Sequence, residues 1–125
     1  MTSRLTRALA TTLCMLSATG SALAAEKPCD RACLKSVLDQ YLSAVIKHDP
    51  SGAPLFVGFR QTENGIVVRP GEGVWKTVTA LGKVQRRFMD TVNGQAGYFG
   101  LVDENGSQAI ATLRLSSETS APAGD

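Results

Sequence analysis

Two Asn-Gly pairs, Asn93-Gly94 and Asn105-Gly106, constrain this chain more than any other feature in it. Both residue types accept positive φ, which two-residue turns demand, so each pair marks a hairpin. They separate segments 84–91, 95–103 and 107–115, and an antiparallel meander is predicted. With two-residue loops at both turns, 92 faces 95 and 104 faces 107, and the cross-strand rows can be written out. One face carries Arg86/Leu101/Ile110, Phe88/Phe99/Thr112 and Asp90/Gly97/Arg114; the other carries Arg87/Gly100/Ala111, Met89/Tyr98/Leu113 and Thr91/Ala96/Leu115. A four-residue first turn would slide the rows by one pair without exchanging the faces, because side-chain direction has period two. Pattern alone leaves open which face a helix covers.

That helix is predicted over 30–48. Cys33, Leu34, Val37, Leu38, Tyr41, Leu42, Val45 and Ile46 recur at helical spacing, Asp30 stands where an N-cap belongs, and Asp49-Pro50 stops the run. A second, shorter helix is expected from Glu72 or Gly73 to Leu81, with Gly82 ending it. Between them, Asn64-Gly65 suggests a small hairpin within 57–68.

The first 24 residues read as a secretory signal: Arg4 and Arg7 before an apolar centre, then Ala22-Leu23-Ala24 as a small-x-small cleavage site. The apolar stretch is interrupted by Thr11, Thr12, Ser17, Thr19 and Gly20, which argues against a membrane anchor. A secreted or periplasmic, unanchored chain is expected. Removing Arg4 and Arg7 leaves 13 − 2 = 11 basic residues against 11 acidic ones, a formal net charge of zero. Such a balance gives no electrostatic reason to expect nucleic acid or an anionic membrane as partner. Cys29 and Cys33 remain, and export favours their disulfide. The alternatives are half a zinc site without a second pair, and a C-x-x-x-C spacing that misses the C-x-x-C redox motif. Residues 25–115 are expected to form one domain, and 116–125, without apolar periodicity, a disordered tail.

Thr62-Glu63-Asn64-Gly65 and Gly71-Glu72-Gly73-Val74-Trp75 concentrate carboxylates, glycines and the one Trp between the long helix and the meander, where binding and catalysis often sit. These motifs, together with Cys29-Asp30-x-x-Cys33-Leu34, Asp39-x-Tyr41-Leu42, His48-Asp49-Pro50 and Gly94-Gln95-Ala96-Gly97-Tyr98-Phe99-Gly100, resemble an uncharacterised exported family. That family looks like a branch of the nuclear-transport-factor-2-like superfamily, which includes ketosteroid isomerase and polyketide cyclases. The resemblance covers 29 to about 115. It implies an α+β cone: a long N-terminal helix on a curved antiparallel sheet, around an apolar pocket. Such proteins usually continue into a further strand where a polar tail begins here, so the final strand would be missing and the free edge open to pairing.

The function expected on these grounds is binding of a small hydrophobic molecule, without cofactor or metal, with a homodimer through the sheet as a further expectation. The alternatives are acid–base catalysis of isomerase, cyclase or hydratase type, and a truncated remnant. Glu63 and Asp90 are the candidate catalytic carboxylates; Asn64, Trp75, Tyr98 and Arg114 are the candidate ligand contacts. Each has a structural reading beside it: turn chemistry for Glu63 and Asn64, an Asp90–Arg114 ion pair, core packing for Trp75. His48, the single histidine, is expected as a cap at a helix C-terminus.

Overall fold

The computed structural model describes residues 28–117. The expected signal segment and the residues expected as tail from 118 onward lie outside that range. Helix α1 (Arg31–Ile46) comes first, followed by a 3₁₀ turn at Pro50–Gly52, strands β1 (Gln61–Glu63) and β2 (Ile66–Val68), helix α2 (Val74–Thr77), and strands β3 (Val78–Asp90), β4 (Gln95–Glu104) and β5 (Ser107–Ser116). The class is α+β. Strands β1 and β2 form one antiparallel pair, and β3, β4 and β5 a second sheet in that order.

Helix α1 starts as its sequence requires. Asp30 accepts a hydrogen bond from Cys33 N at 2.9 Å, and the disulfide Cys29–Cys33 closes a small loop over the same turn, with Cα atoms 5.3 Å apart. Sixteen residues give a helix of about 24 Å. Leu34, Leu38, Tyr41, Leu42, Ala44 and Val45 form its buried stripe. At the other end, His48 adopts φ 56° and its imidazole donates from Nδ1 to the carbonyl of Trp75. A carbonyl only accepts, so the proton sits on Nδ1. No helix among the described residues is long and apolar enough to cross a membrane.

The meander follows the predicted faces with one correction to its rows. The turn at Asn105-Gly106 has two residues, both with positive φ, and β4–β5 pairs without a shift from Glu104↔Ser107 to Gln95↔Ser116. The other turn spans four residues, since Asp90 pairs with Gln95. Asp90 accounts for the difference: its carboxylate accepts from Val92 N, Asn93 N and Asn93 Nδ2, which holds a wider turn closed. The β3 rows therefore slide by one pair, to Arg86↔Phe99 and Phe88↔Gly97. The expected Asp90–Arg114 pair does not form, because Arg114 now shares its row with Gly97 and Phe88.

The second expected helix is cut short. Val78 to Leu81 pair with β4 instead of continuing α2. Val78 and Thr79 are β-branched and suit a strand. Gly82 lies inside β3, where an added Cβ would fall 2.5 Å from the Cβ of Leu101; it permits a close approach and ends no helix. Strand β3 is irregular here, with register shifts at Val78/Ala80 and Leu81/Gln85. At the C-terminal end, β5 continues to Ser116, and Ser117 N bonds Gly94 O at 2.8 Å, so ordered chain runs past the boundary expected at 115.

Helix α1 packs on β3 and β4 and covers the face that carries Ala96, Tyr98 and Val102, all buried. Met89, Ala111, Leu113 and Leu115 flank this core. Trp75, Leu34 and Leu38 are its largest fully enclosed side chains, and burial of each leucine stabilises the fold by about 1.5–3 kcal/mol.

Candidate functional site

The carboxylate-rich segment closes into a polar latch under Trp75. The side chain of Gln61 is the hub. Its Oε1 accepts from Trp75 Nε1 at 2.8 Å and from Tyr41 Oη at 3.3 Å, while its Nε2 donates to Glu63 Oε1 at 2.7 Å. Glu63 in turn accepts from Val74 N at 3.0 and 3.3 Å, at the start of α2. Gly73 sits against that carboxylate with φ 61°, so closely that an added Cβ would overlap the Glu63 oxygens. The Trp75 ring meets Tyr41 edge-on at 5.2 Å between centroids. Burial pushes the Tyr41 hydroxyl up to about 12, which keeps it a proton donor to Gln61.

Each candidate residue thus has a definite place. Trp75 is wholly enclosed in the core and lines no cleft. Asn64 is exposed at φ 49° and Gly65 follows at φ 81°, which makes Asn64-Gly65 the β1–β2 turn. Asp90 holds its own turn, and the side-chain hydrogen bond from Asn93, with the neighbouring backbone N–H groups, keeps its pKa below the usual carboxylate value. Tyr98 points into the core; its hydroxyl donates to Leu101 O at 2.9 Å, and burial raises its pKa although Arg87 opposes the shift. Glu63 and Trp75 are brought together; Asp90, Tyr98 and Arg114 do not join them.

A second polar group, which the sequence reading missed, lies where α1 meets β3. Asp39 bonds Arg87 Nε at 2.8 Å and also pairs with Lys35. Burial raises the Asp39 carboxyl, but hydrogen bonds and charge from Lys35 and Arg87 outweigh it, and its pKa lies below the ordinary value. Arg87 also bonds Gln85 Oε1 at 2.9 Å and stands 5.8 Å above the Tyr98 ring. Open depressions of about 540 and 480 Å³ run along this side of α1, both touching Lys35, Asp39, Ser43 and Lys47. Spacing could not pair Asp39 with Arg87 across 48 positions. Among the described residues, no three His, Cys, Asp or Glu side chains converge as a metal set would need.

The remaining feature is the outer face of the sheet, opposite α1. Phe88 is 61% exposed, Phe99 44% and Ile110 73%, with Val84 also exposed. Register sets Phe88 beside Gly97 and Phe99 in the next row, while Ile110 pairs with Leu101, two rows from Gly97 along the same face. Gly97 has Phe88 on one side and Arg114 on the other, and Phe99 and Gln95 two positions away along β4. A Cβ at Gly97 would meet only ordinary contacts, 3.5 Å from Leu113 O and 3.8 Å from the Phe88 Cβ, so the sheet surface is lowered there by the absent side chain. Arg86 shares a row with Phe99 and Thr112. The result is an exposed apolar surface at Gly97, with Arg114 in its row and Arg86 in the next. Comparison with protein-family models, curated proteins and solved structures yields no match.

Proposed function

We propose that this domain is an exported binding module, and that its ligand is a small hydrophobic molecule with an anionic group, held on the outer face of the sheet at Gly97. The observation that carries this reading is the exposure of Phe88 and Phe99 in the two adjacent rows at Gly97, with Arg114 in the first row and Arg86 in the second. Aromatic surface left open in such a cluster favours an apolar ligand, and a guanidinium favours a carboxylate or similar oxyanion. The expected location thereby moves from the interior of a cone to an open face. A nuclear-transport-factor-2-like ancestry is compatible with one helix on an antiparallel sheet, and the reading does not depend on it.

Acid–base catalysis has less behind it. A general base needs a carboxylate free to take a proton, whereas Glu63 is occupied by Val74 N and Gln61 Nε2, and Asp90 by its turn. Calorimetric titration with decanoate and with decanol tests the proposal. Saturable one-site binding of both is expected, weakened about tenfold by Phe99→Ser. Arg114→Gln is expected to weaken decanoate by a similar factor and to leave decanol unchanged. Binding that never saturates, or that neither substitution alters, contradicts the assignment.

A further inference from the structure

We propose that β5 is a self-recognition edge, on which a second copy of this chain pairs antiparallel, about a two-fold axis at Thr112, to make a continuous six-stranded sheet. This inference is independent of the ligand proposed for the outer face.

The two outer strands of the sheet differ in how they present their edges. Natural sheets protect edges with bulges, proline, inward charges or a covering element. Strand β3 has two register shifts, lies under α1, and carries Arg87 tied to Asp39. Among the described residues, strand β5 has none of these: ten residues pair with β4 without interruption, none is proline, and its single charge, Arg114, is on the outer face. Its inner residues Ala109, Ala111, Leu113 and Leu115 stay only half-buried beside the core.

The direction of the free backbone groups follows from the turn. A two-residue hairpin closes on a hydrogen-bonded pair, here Glu104 and Ser107, and every second residue after it faces the same way. The bond from Ser117 N to Gly94 O fits this count, since 117 and 107 have the same parity. Gln108, Ile110, Thr112, Arg114 and Ser116 therefore direct their N–H and C=O groups toward the open edge.

The side chains choose the partner and its register. Along the inner face the order is Ala109, Ala111, Leu113, Leu115, small residues at one end and large ones at the other. A two-fold centred on Thr112 sets Ala109 against Leu115 and Ala111 against Leu113 of the second copy, so each large side chain meets a small one. It also puts Arg114 opposite Ile110 and so keeps the two Arg114 side chains apart, and it brings Thr112 opposite Thr112, a favourable cross-strand pair. A parallel arrangement in register would set leucine on leucine and arginine on arginine. Two strand edges bury less than the ~1,200 Å² typical of a stable interface, so the dimer belongs to the weak, concentration-dependent class.

Sedimentation equilibrium and amide hydrogen exchange on the purified protein, over about a hundred-fold concentration range, test this. The mass is expected to rise toward twice the monomer, while exchange at 108, 110, 112, 114 and 116 slows with concentration. Thr112→Glu and Thr112→Lys are each expected to remain monomeric, because like charges then meet at the axis, and an equimolar mixture of the two is expected to dimerise. A monomer at every concentration overturns the proposal. So does a dimer in which those five amides stay unprotected, which would mean contact through a sheet face. Protection of the same amides in a monomer would assign the edge to another part of the same chain and overturn it equally.

Discussion

Replacing Gln61 by leucine removes the acceptor that Trp75 Nε1 and Tyr41 Oη share, with little change in size. Each buried donor left unpaired costs about 1–3 kcal/mol, so with two donors Gln61→Leu is expected to lower stability by about 2–6 kcal/mol in a urea titration. Gly73 and Gly65 give a matched comparison. Both have positive φ, but only Gly73 lies against another group, the Glu63 carboxylate. Gly73→Ala is therefore expected to cost clearly more than the roughly 1 kcal/mol that backbone strain alone imposes on Gly65→Ala. The tyrosines set a pH dependence. Tyr41 is raised from 10.0 to about 12 in the folded chain, and Tyr98 is raised too, each by burial. A raised pKa means that the native state holds the proton more tightly than the unfolded chain. The associated stability is intact below pH 10 and is lost as pH climbs toward 12. Absorbance titration of the phenols should show the folded protein ionising at higher pH than the urea-unfolded chain, and coincident curves would refute the burial assigned to both.

At the scale of elements, the disulfide and α1 act as one unit. A loop of about five residues stabilises by about 2 kcal/mol through the unfolded chain, so reduction of Cys29–Cys33 should lower the melting temperature without unfolding the domain at room temperature. The elements that could be read from the sequence were those with strong local signals. Asp30 as cap, the apolar stripe of α1 and the Asn105-Gly106 turn were all legible, because each depends on neighbours a few residues away. The face assignment of the meander held for the same reason, since a period of two survives a shift in register. The extent of α2 was not legible: Val74 to Leu81 suits a helix by spacing, and only pairing with β4 makes Val78 onward a strand. The Asp90–Arg114 pair failed because Asp90 bonded its own turn first, a local competitor that periodicity does not reveal. Glu63 was expected as a catalytic carboxylate and Trp75 as a ligand contact, from a segment whose composition alone drew them together. What they form is a latch centred on Gln61, a residue that carries no pattern signal in the sequence.

Among the described residues, α1 covers one face of the three-stranded sheet and leaves the other open. That arrangement accounts for the enclosed core of Trp75, Leu34 and Leu38 and for the exposed Phe88, Phe99 and Ile110 opposite it. Lowered carboxyl pKa values at Asp39, Asp49 and Asp90 have the opposite pH sense to the tyrosines: the stability tied to them is present above the ordinary value of 3.8 and is lost as pH falls through their lower native values. A plateau of stability between these limits is expected in urea titrations taken from acid to alkaline pH. The most direct measurement is a map of amide shifts on adding decanoate to the purified protein. Saturable shifts centred on Phe88, Gly97, Phe99 and Arg114 are expected if the outer face is the binding surface. Shifts centred on Gln61, Glu63 and Trp75, or none that saturate, would contradict it.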